Sequence, residues 1–210
     1  MRRLPGAIGD TPRVRWSRPL AALAVLAVAV VLGIGLLQSD GGGPKPTAVP
    51  DRAEIARRLA LAPPALRALY ADGPALLPAG ERHARRVLRR LRGHPVVLNL
   101  WGAWCGPCRA EFPLLRRAVA EHSARIAFLG VDVRDQPGRA RAFLRRQPTA
   151  YPHLQDPAGR LAVALGAGTV STPSTIFLDP DGRIVQVKQG PYRTYEDLVG
   201  DLRRYGGDAG

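Results

Sequence analysis

Cysteine is nearly missing from this 210-residue chain, which holds Cys105 and Cys108 and no third to pair with either. Lysine is rarer than the charge suggests: of the 31 basic residues only Lys45 and Lys188 are lysine, the rest arginine. Aromatic residues reach 6 % and do not alternate with the basic ones. Each shortage excludes something. A small scaffold stapled by disulfides needs more cysteines than these. A closed zinc site needs four ligands, and His83, His94, His122 and His153 keep no ligand spacing from the cysteine pair. The net charge of +14 invites a nucleic-acid reading, but no aromatic platforms stand among the arginines on which bases would stack. Arginine in place of lysine reflects genome composition, and no internal repeat appears.

What is present is a C-x-x-C pair, Cys105-Gly106-Pro107-Cys108, directly after the apolar run Val96-Val97-Leu98-Asn99-Leu100-Trp101. The run reads as a buried strand, and the pair falls where that strand turns into a helix over Pro107–Glu121. If the helix begins at Gly106 or Pro107, where the missing N–H of proline is not needed, Cys105 caps its N-terminus. Its sulfur then meets unpaired backbone N–H groups and the positive end of the helix dipole, and both favour the thiolate. A lowered pKa makes Cys105 the attacking sulfur. Cys108, one turn in and less exposed, is placed to resolve the mixed disulfide that Cys105 forms. The competing uses of such a pair are half of a structural zinc site, which the lack of a second C-x-x-C disfavours, and a static disulfide.

At these residues the chain resembles the thioredoxin superfamily, and more narrowly its membrane-anchored TlpA/ResA-type branch. The segment Trp101-Gly102-Ala103-Trp104-Cys105-Gly106-Pro107-Cys108-Arg109-Ala110-Glu111-Phe112-Pro113 carries the resemblance, which extends from Leu77 to Tyr205. Asn99 stands where cytosolic thioredoxins carry a buried Asp and the branch commonly has Asn. Glu111, three residues after Cys108, matches an acid that the branch keeps near its active site. The resemblance implies a thioredoxin-like α/β fold, a central mixed sheet flanked by helices and preceded by one N-terminal transmembrane helix. It implies a redox-active disulfide between Cys105 and Cys108, with no cofactor and no metal. It also implies a cis peptide at Pro173 facing the dithiol, with the backbone of Thr172 offered to an extended substrate segment. An ordinary trans proline opening an edge strand is the plain alternative. Trp104, beside Cys105, is the candidate for the rest of the docking surface.

The N-terminal part reads as an anchor. Leu20 to Leu37 is 18 residues without charge, about 27 Å as a helix and close to the hydrocarbon thickness. Arg2, Arg3, Arg13, Arg15 and Arg18 precede it and the first basic residue after it is Lys45, so the positive-inside rule keeps the N-terminus cytoplasmic and exports the rest. A cleaved signal peptide competes, but the apolar core is long for one and Gln38-Ser39-Asp40-Gly41 offers no small-residue cleavage site. The expected organisation is therefore a basic tail (1–18), an anchor (19–37), a Gly/Pro-rich linker (38–50), a helical extension (51–76) and a thioredoxin-like domain (77–210). The extension departs from the branch, which usually opens with a β-hairpin.

Within the domain the pattern predicts a helix over Glu81–Arg92, strands over Val96–Trp101 and Ile126–Val131, and a helix from Asp135-Gln136-Pro137 through Arg146. A short helix over Gly159–Leu165 follows, then a hairpin of Ser174–Leu178 with Ile184–Lys188. Thr194 caps a last helix that buries Leu198, Val199, Leu202 and Tyr205. Pro113 falls inside the active-site helix and leaves the carbonyl of Arg109 without its usual donor. Arg85, Arg86, Arg89, Arg90 and Arg92 make a basic face, either solvated or drawn to anionic lipid headgroups.

Glu111 shares the helix face of Cys108 by its i+3 spacing, where a partly buried carboxylate takes the proton of the resolving thiol and, once ionised, raises that thiol's pKa. Spacing alone leaves a solvated surface role equally open, and the resemblance favours the catalytic one. Asn99 is expected to be hydrogen-bonded below the site. The expected protein is a monomeric, single-pass, extracytoplasmic thiol–disulfide oxidoreductase acting on cysteines of exported proteins. The branch implies reduction of the haem-attachment thiols of apocytochrome c, with a membrane electron donor of the CcdA type. Disulfide formation in secreted proteins is the alternative direction. Copper delivery would want a three-residue gap between the cysteines and a later histidine, and a peroxidase would want an isolated cysteine earlier in its helix; neither pattern is present.

Overall fold

The computed structural model describes residues 52–169 and 171–207. The expected tail, anchor and linker lie outside them, and among the described residues no helix is long and apolar enough to cross a membrane. Helices α1 (Arg52–Ala60) and α2 (Pro64–Ala71) lead into β1 (Leu76–Leu77), α3 (Glu81–Arg90), β2 (Val96–Trp101) and α4 (Gly106–His122). There follow β3 (Ala127–Val133), α5 (Pro137–Arg146), β4 (His153–Asp156), α6 (Leu161–Ala164), β5 (Ser174–Leu178), β6 (Ile184–Gln189) and α7 (Tyr195–Tyr205).

The six strands form one mixed sheet in the order β1-β4-β3-β2-β5-β6. The first four run parallel and the β5–β6 hairpin antiparallel, as the thioredoxin-like fold requires. All six residues of β2 and all seven of β3 are buried, which is why both read as nearly unbroken apolar runs. Cys105 is delivered from the C-terminal end of β2. Because β5 runs the other way and pairs Ser174 with Leu100, Pro173 comes to the same end of the sheet.

The helical stretch before residue 77 is built into the core. Leu66, Leu69 and Tyr70 of α2 are buried there. The Tyr70 hydroxyl donates to the Ile126 carbonyl at 2.6 Å and accepts from the Phe128 N–H at 3.0 Å, so it ties α2 to the start of β3. Gly130 has a steric reason: a Cβ there would lie 1.9 Å from Nδ1 of His153, its partner in the β3–β4 ladder.

Several boundaries differ from expectation. β3 runs on past Val131, because Asp132 stays in the ladder between Trp101 of β2 and Gln155 of β4. Backbone pairing outweighs the break in apolar pattern. Gln136, not Asp135, takes the N-cap position of α5; Asp135 is drawn away by the N–H of Ala103, which it accepts at 2.6 Å. Thr194 does cap α7, receiving the Asp197 N–H at 3.2 Å, and Leu198 and Leu202 are buried while Val199 and Tyr205 are only partly so. Helix α3 ends at Arg90, two residues early, and β6 runs one further to Gln189.

Candidate active site

The helix α4 starts at Gly106, so Cys105 is its N-cap, with extended backbone (φ −87°, ψ 107°). Its Sγ accepts the Cys108 N–H at 3.2 Å, one of the donors a helix start leaves without an intrahelical partner. Cys105 and Cys108 are joined as a disulfide with Cα atoms 5.3 Å apart. Cys105 is 4 % exposed and Cys108 fully buried, the order expected of an attacking and a resolving sulfur. Both sulfurs pack into a small apolar cluster with Trp101, Phe112 and, from α5, Phe143 and Leu144.

Three contacts hold the loop that carries Cys105. The Ala103 N–H donates to Asp135, the Trp104 indole donates to the Val133 carbonyl at 3.1 Å, and the Cys105 N–H donates to Gly102 at 3.0 Å. Trp104 nevertheless keeps 46 % of its surface exposed. Thr172–Pro173 is a cis peptide, and the Pro173 carbonyl accepts the Gly190 N–H at 2.9 Å.

Glu111 is not a solvated surface residue: it is 1 % exposed. Its Oε1 accepts from Asn99 Nδ2 at 2.8 Å and its Oε2 from the Tyr192 N–H at 3.0 Å. Burial raises its pKa above the ordinary carboxylate range, against the hydrogen bonds from Asn99 and Tyr192 and the attraction of Lys188, which lower it. Asn99 is thus hydrogen-bonded under the helix as expected. Lys188, in β6, and Tyr192, in the β6–α7 connection, were not anticipated as partners of Glu111, which lies far from both in the chain.

Two other buried groups escaped the sequence reading. His153 is fully buried, its Nε2 2.8 Å from Thr149 Oγ1 and its ring edge-on to Trp101 at 5.2 Å between centroids. Burial pushes its pKa down to about 3, so it is a neutral imidazole. Asp132, in register with Trp101, is buried, and desolvation followed by repulsion from Asp135 and Asp156 pushes its pKa up to about 7. The signal for it was an acid inside the otherwise apolar run Phe128–Val133.

The AhpC/TSA family matches residues 77–187, more than half of the chain, and the chain belongs to that family. It is 39 % identical over 120 residues to a thiol:disulfide interchange protein DsbE homolog from Paracoccus denitrificans, covering 57 % of this chain and 63 % of that protein. With the thiol:disulfide interchange protein HelX from Rhodobacter capsulatus it shares 29 % over 186 residues, 87 % of this chain and 92 % of that one. With the thiol-disulfide oxidoreductase ResA from Bacillus subtilis it shares 26 % over 120 residues, 57 % and 66 % of the two chains. Among solved structures, a Chlorobium tepidum protein assigned as the thiol:disulfide interchange protein DsbE superposes with a TM-score of 0.51 at 26 % identity, covering 56 % of this chain and 84 % of that one.

Proposed function

We propose that this member of the AhpC/TSA family is a thiol–disulfide oxidoreductase that works through Cys105 and Cys108. The observation that carries the reading is the Cys105 sulfur at the N-cap of α4, accepting the Cys108 N–H. In the reduced protein that position stabilises a thiolate on Cys105. The thiolate attacks a partner disulfide, one partner sulfur leaves, and a mixed disulfide joins the two proteins. Cys108 then attacks Cys105, the second partner sulfur leaves, and the partner is released as a dithiol while Cys105–Cys108 closes.

Trp104, Thr172 and Pro173 are the proposed docking residues, Trp104 next to Cys105 in the chain and Thr172–Pro173 leading into β5 at the same end of the sheet. Glu111 is the proposed carboxylate that receives the proton of Cys108, held in place by Asn99 and the Tyr192 N–H. Its test is thiol alkylation against pH in Glu111→Gln. A displaced Cys108 titration is expected, and unchanged titration of both sulfurs removes Glu111 from the mechanism.

The uncharged stretch 19–37 and the arginines before it support a single-pass protein with its catalytic domain outside the cytoplasm. There an unattended C-x-x-C pair would be oxidised, so the protein acts with a membrane electron donor of the CcdA type. The resemblance to the TlpA/ResA-type branch supports reduction of protein disulfides, those of apocytochrome c first. Trapping decides the direction: Cys108→Ser, expressed in membranes, keeps its partner linked to Cys105. Apocytochrome c in the trap is the expected result, and a broad set of secreted proteins instead would assign the protein to disulfide formation.

A further inference from the structure

At this end of the sheet one buried acid is left without a task. Asp132, the penultimate residue of β3, is 2 % exposed, and its Oδ1 is buried with no hydrogen-bond partner. The indole N–H of Trp101, its neighbour in register on β2, is buried and equally without one. Two other carboxylates act on Asp132: Asp135 from the loop after β3 and Asp156 from the end of β4. Each of these accepts backbone N–H groups on both oxygens. Asp135 takes those of Ala103 at 2.6 Å and Gln136 at 2.8 Å, and Asp156 those of Arg160 at 3.0 Å and Leu161 at 2.8 Å.

Acceptance on both oxygens is the work of a carboxylate, whereas a buried acid with an empty lone pair and two acidic neighbours is the one to hold a proton. Arg139 of α5 approaches Asp135 only to 4.0 Å, and His153, in the same ring cluster as Trp101, is neutral. The other charged or titratable groups near this end are Arg134, whose N–H donates to the Asp156 carbonyl at 3.0 Å, Glu111, whose two oxygens take the donors of Asn99 and Tyr192, and the two sulfurs. The sulfurs are closely joined to the end of β3: Trp101 packs in one cluster with Cys105 and Cys108, while Val133 and Asp135 hold the loop through Trp104 and Ala103.

We propose that Asp132 is the proton store of the dithiol, ionised beside the disulfide and taking up a proton when reduction leaves Cys105 as a thiolate. This rests on the thiol–disulfide reading above and adds a positioning residue to it. In the step, a dithiol partner loses two electrons and two protons and becomes a disulfide. The Cys105–Cys108 bond breaks, Cys105 remains a thiolate, Cys108 carries one proton as a thiol, and Asp132 carries the other. The net charge of the site stays at one negative unit. With its pKa pushed up to about 7 opposite the disulfide, Asp132 is half ionised at pH 7 and almost wholly ionised above about pH 8, where the store is empty and ready, and the new thiolate raises its pKa further.

The test is equilibration of the full chain with dithiothreitol between pH 7 and 8.5, where that reagent gives up both protons with its electrons. Wild type then releases about half a proton at pH 7 and almost none by pH 8.5, so its equilibrium constant rises only about twofold across the range. Asp132→Asn has nowhere to keep the second proton, and its constant rises about tenfold per pH unit. A pH indicator in weakly buffered wild type at pH 8 to 8.5 gives a second reading that needs no variant, with release near zero per disulfide reduced. Equal slopes in the two proteins, or release of one proton by wild type, overturns the proposal. Failure of wild type to exchange with dithiothreitol at any pH would sink the oxidoreductase reading itself.

Discussion

Protonating His153 should destabilise this protein from the inside. The imidazole is fully buried among the rings of Trp101, Tyr151 and Phe112, and its pKa is pushed down to about 3 by burial alone. In the unfolded chain it returns to about 6.5, so between those values the unfolded state binds the extra proton. Stability from this group is therefore complete above pH 6.5 and drains away as pH falls. One pKa unit is worth about 1.4 kcal/mol, so going from pH 7 to pH 4 removes about 3 kcal/mol through His153. That is a large share of the ~5–15 kcal/mol that holds a typical domain. Urea unfolding of the oxidised full chain, followed by tryptophan fluorescence over that range, measures it. His153→Phe keeps an aromatic ring in the slot and has no proton to gain, so its pH dependence should be shallower by about 3 kcal/mol, whatever the substitution costs at neutral pH. If wild type and variant lose stability in parallel, the imidazole is not the buried neutral group described.

Gly130→Ala should destabilise the fold by about 1–3 kcal/mol, because the new methyl meets Nδ1 of His153 at 1.9 Å and the ladder on both sides resists movement. A thermal shift of the oxidised protein checks it, and an unchanged midpoint contradicts the register. Tyr70→Phe removes the hydroxyl that serves both the Ile126 carbonyl and the Phe128 N–H, leaving that donor buried and unmet at a cost of about 1–3 kcal/mol. Urea midpoints measure it, and a loss under half of that would mean that α2 is not anchored there. Trp104→Ala should slow reduction of a protein disulfide while leaving exchange with dithiothreitol nearly unchanged, since Trp104 adjoins Cys105 in the chain and is 46 % exposed. Equal slowing with both substrates would make its role structural.

The strand before the cysteines, the cap at Cys105 and the hairpin after Pro173 were all readable, because each depends on neighbours within a few residues. An apolar run, a proline at the first helical turn and a Pro-Asp-Gly turn are local facts. Glu111 was half readable. Its i+3 offset from Cys108 put it on the right face, but spacing cannot tell a buried carboxylate from a solvated one. Once it is buried, one of its two oxygens finds its donor 81 residues away, in the Tyr192 N–H. The two-residue strand β1 and the buried His153 were invisible for a similar reason: they become a strand and a core residue only by pairing with one another and with Gly130. Asp135 was misplaced by local reasoning as a helix cap, since the donor that claims it, the Ala103 N–H, belongs to the active-site loop. Local signals find elements, whereas polar partners across the sheet decide which acids are structural and which are chemical.

Glu111 and Asp132 make that distinction within one site. Both are carboxyls almost without solvent contact, and burial raises both above the ordinary range. They differ in what reaches their oxygens. Glu111 has a donor on each, an amide from Asn99 and a backbone N–H from Tyr192, and the attraction of Lys188 besides. Asp132 has an empty Oδ1 and two acids for company. Donors to the charged form restrain the first shift, and like charges add to the second. If the two proposals hold, such a pair splits the proton traffic of a dithiol: Glu111, on α4 one turn after Cys108, serves the resolving thiol, and Asp132, near the end of β3, responds to charge on Cys105. Removing Glu111 should then disturb the closing step and its pH dependence, while removing Asp132 should leave closing intact and change only how many protons accompany the electrons.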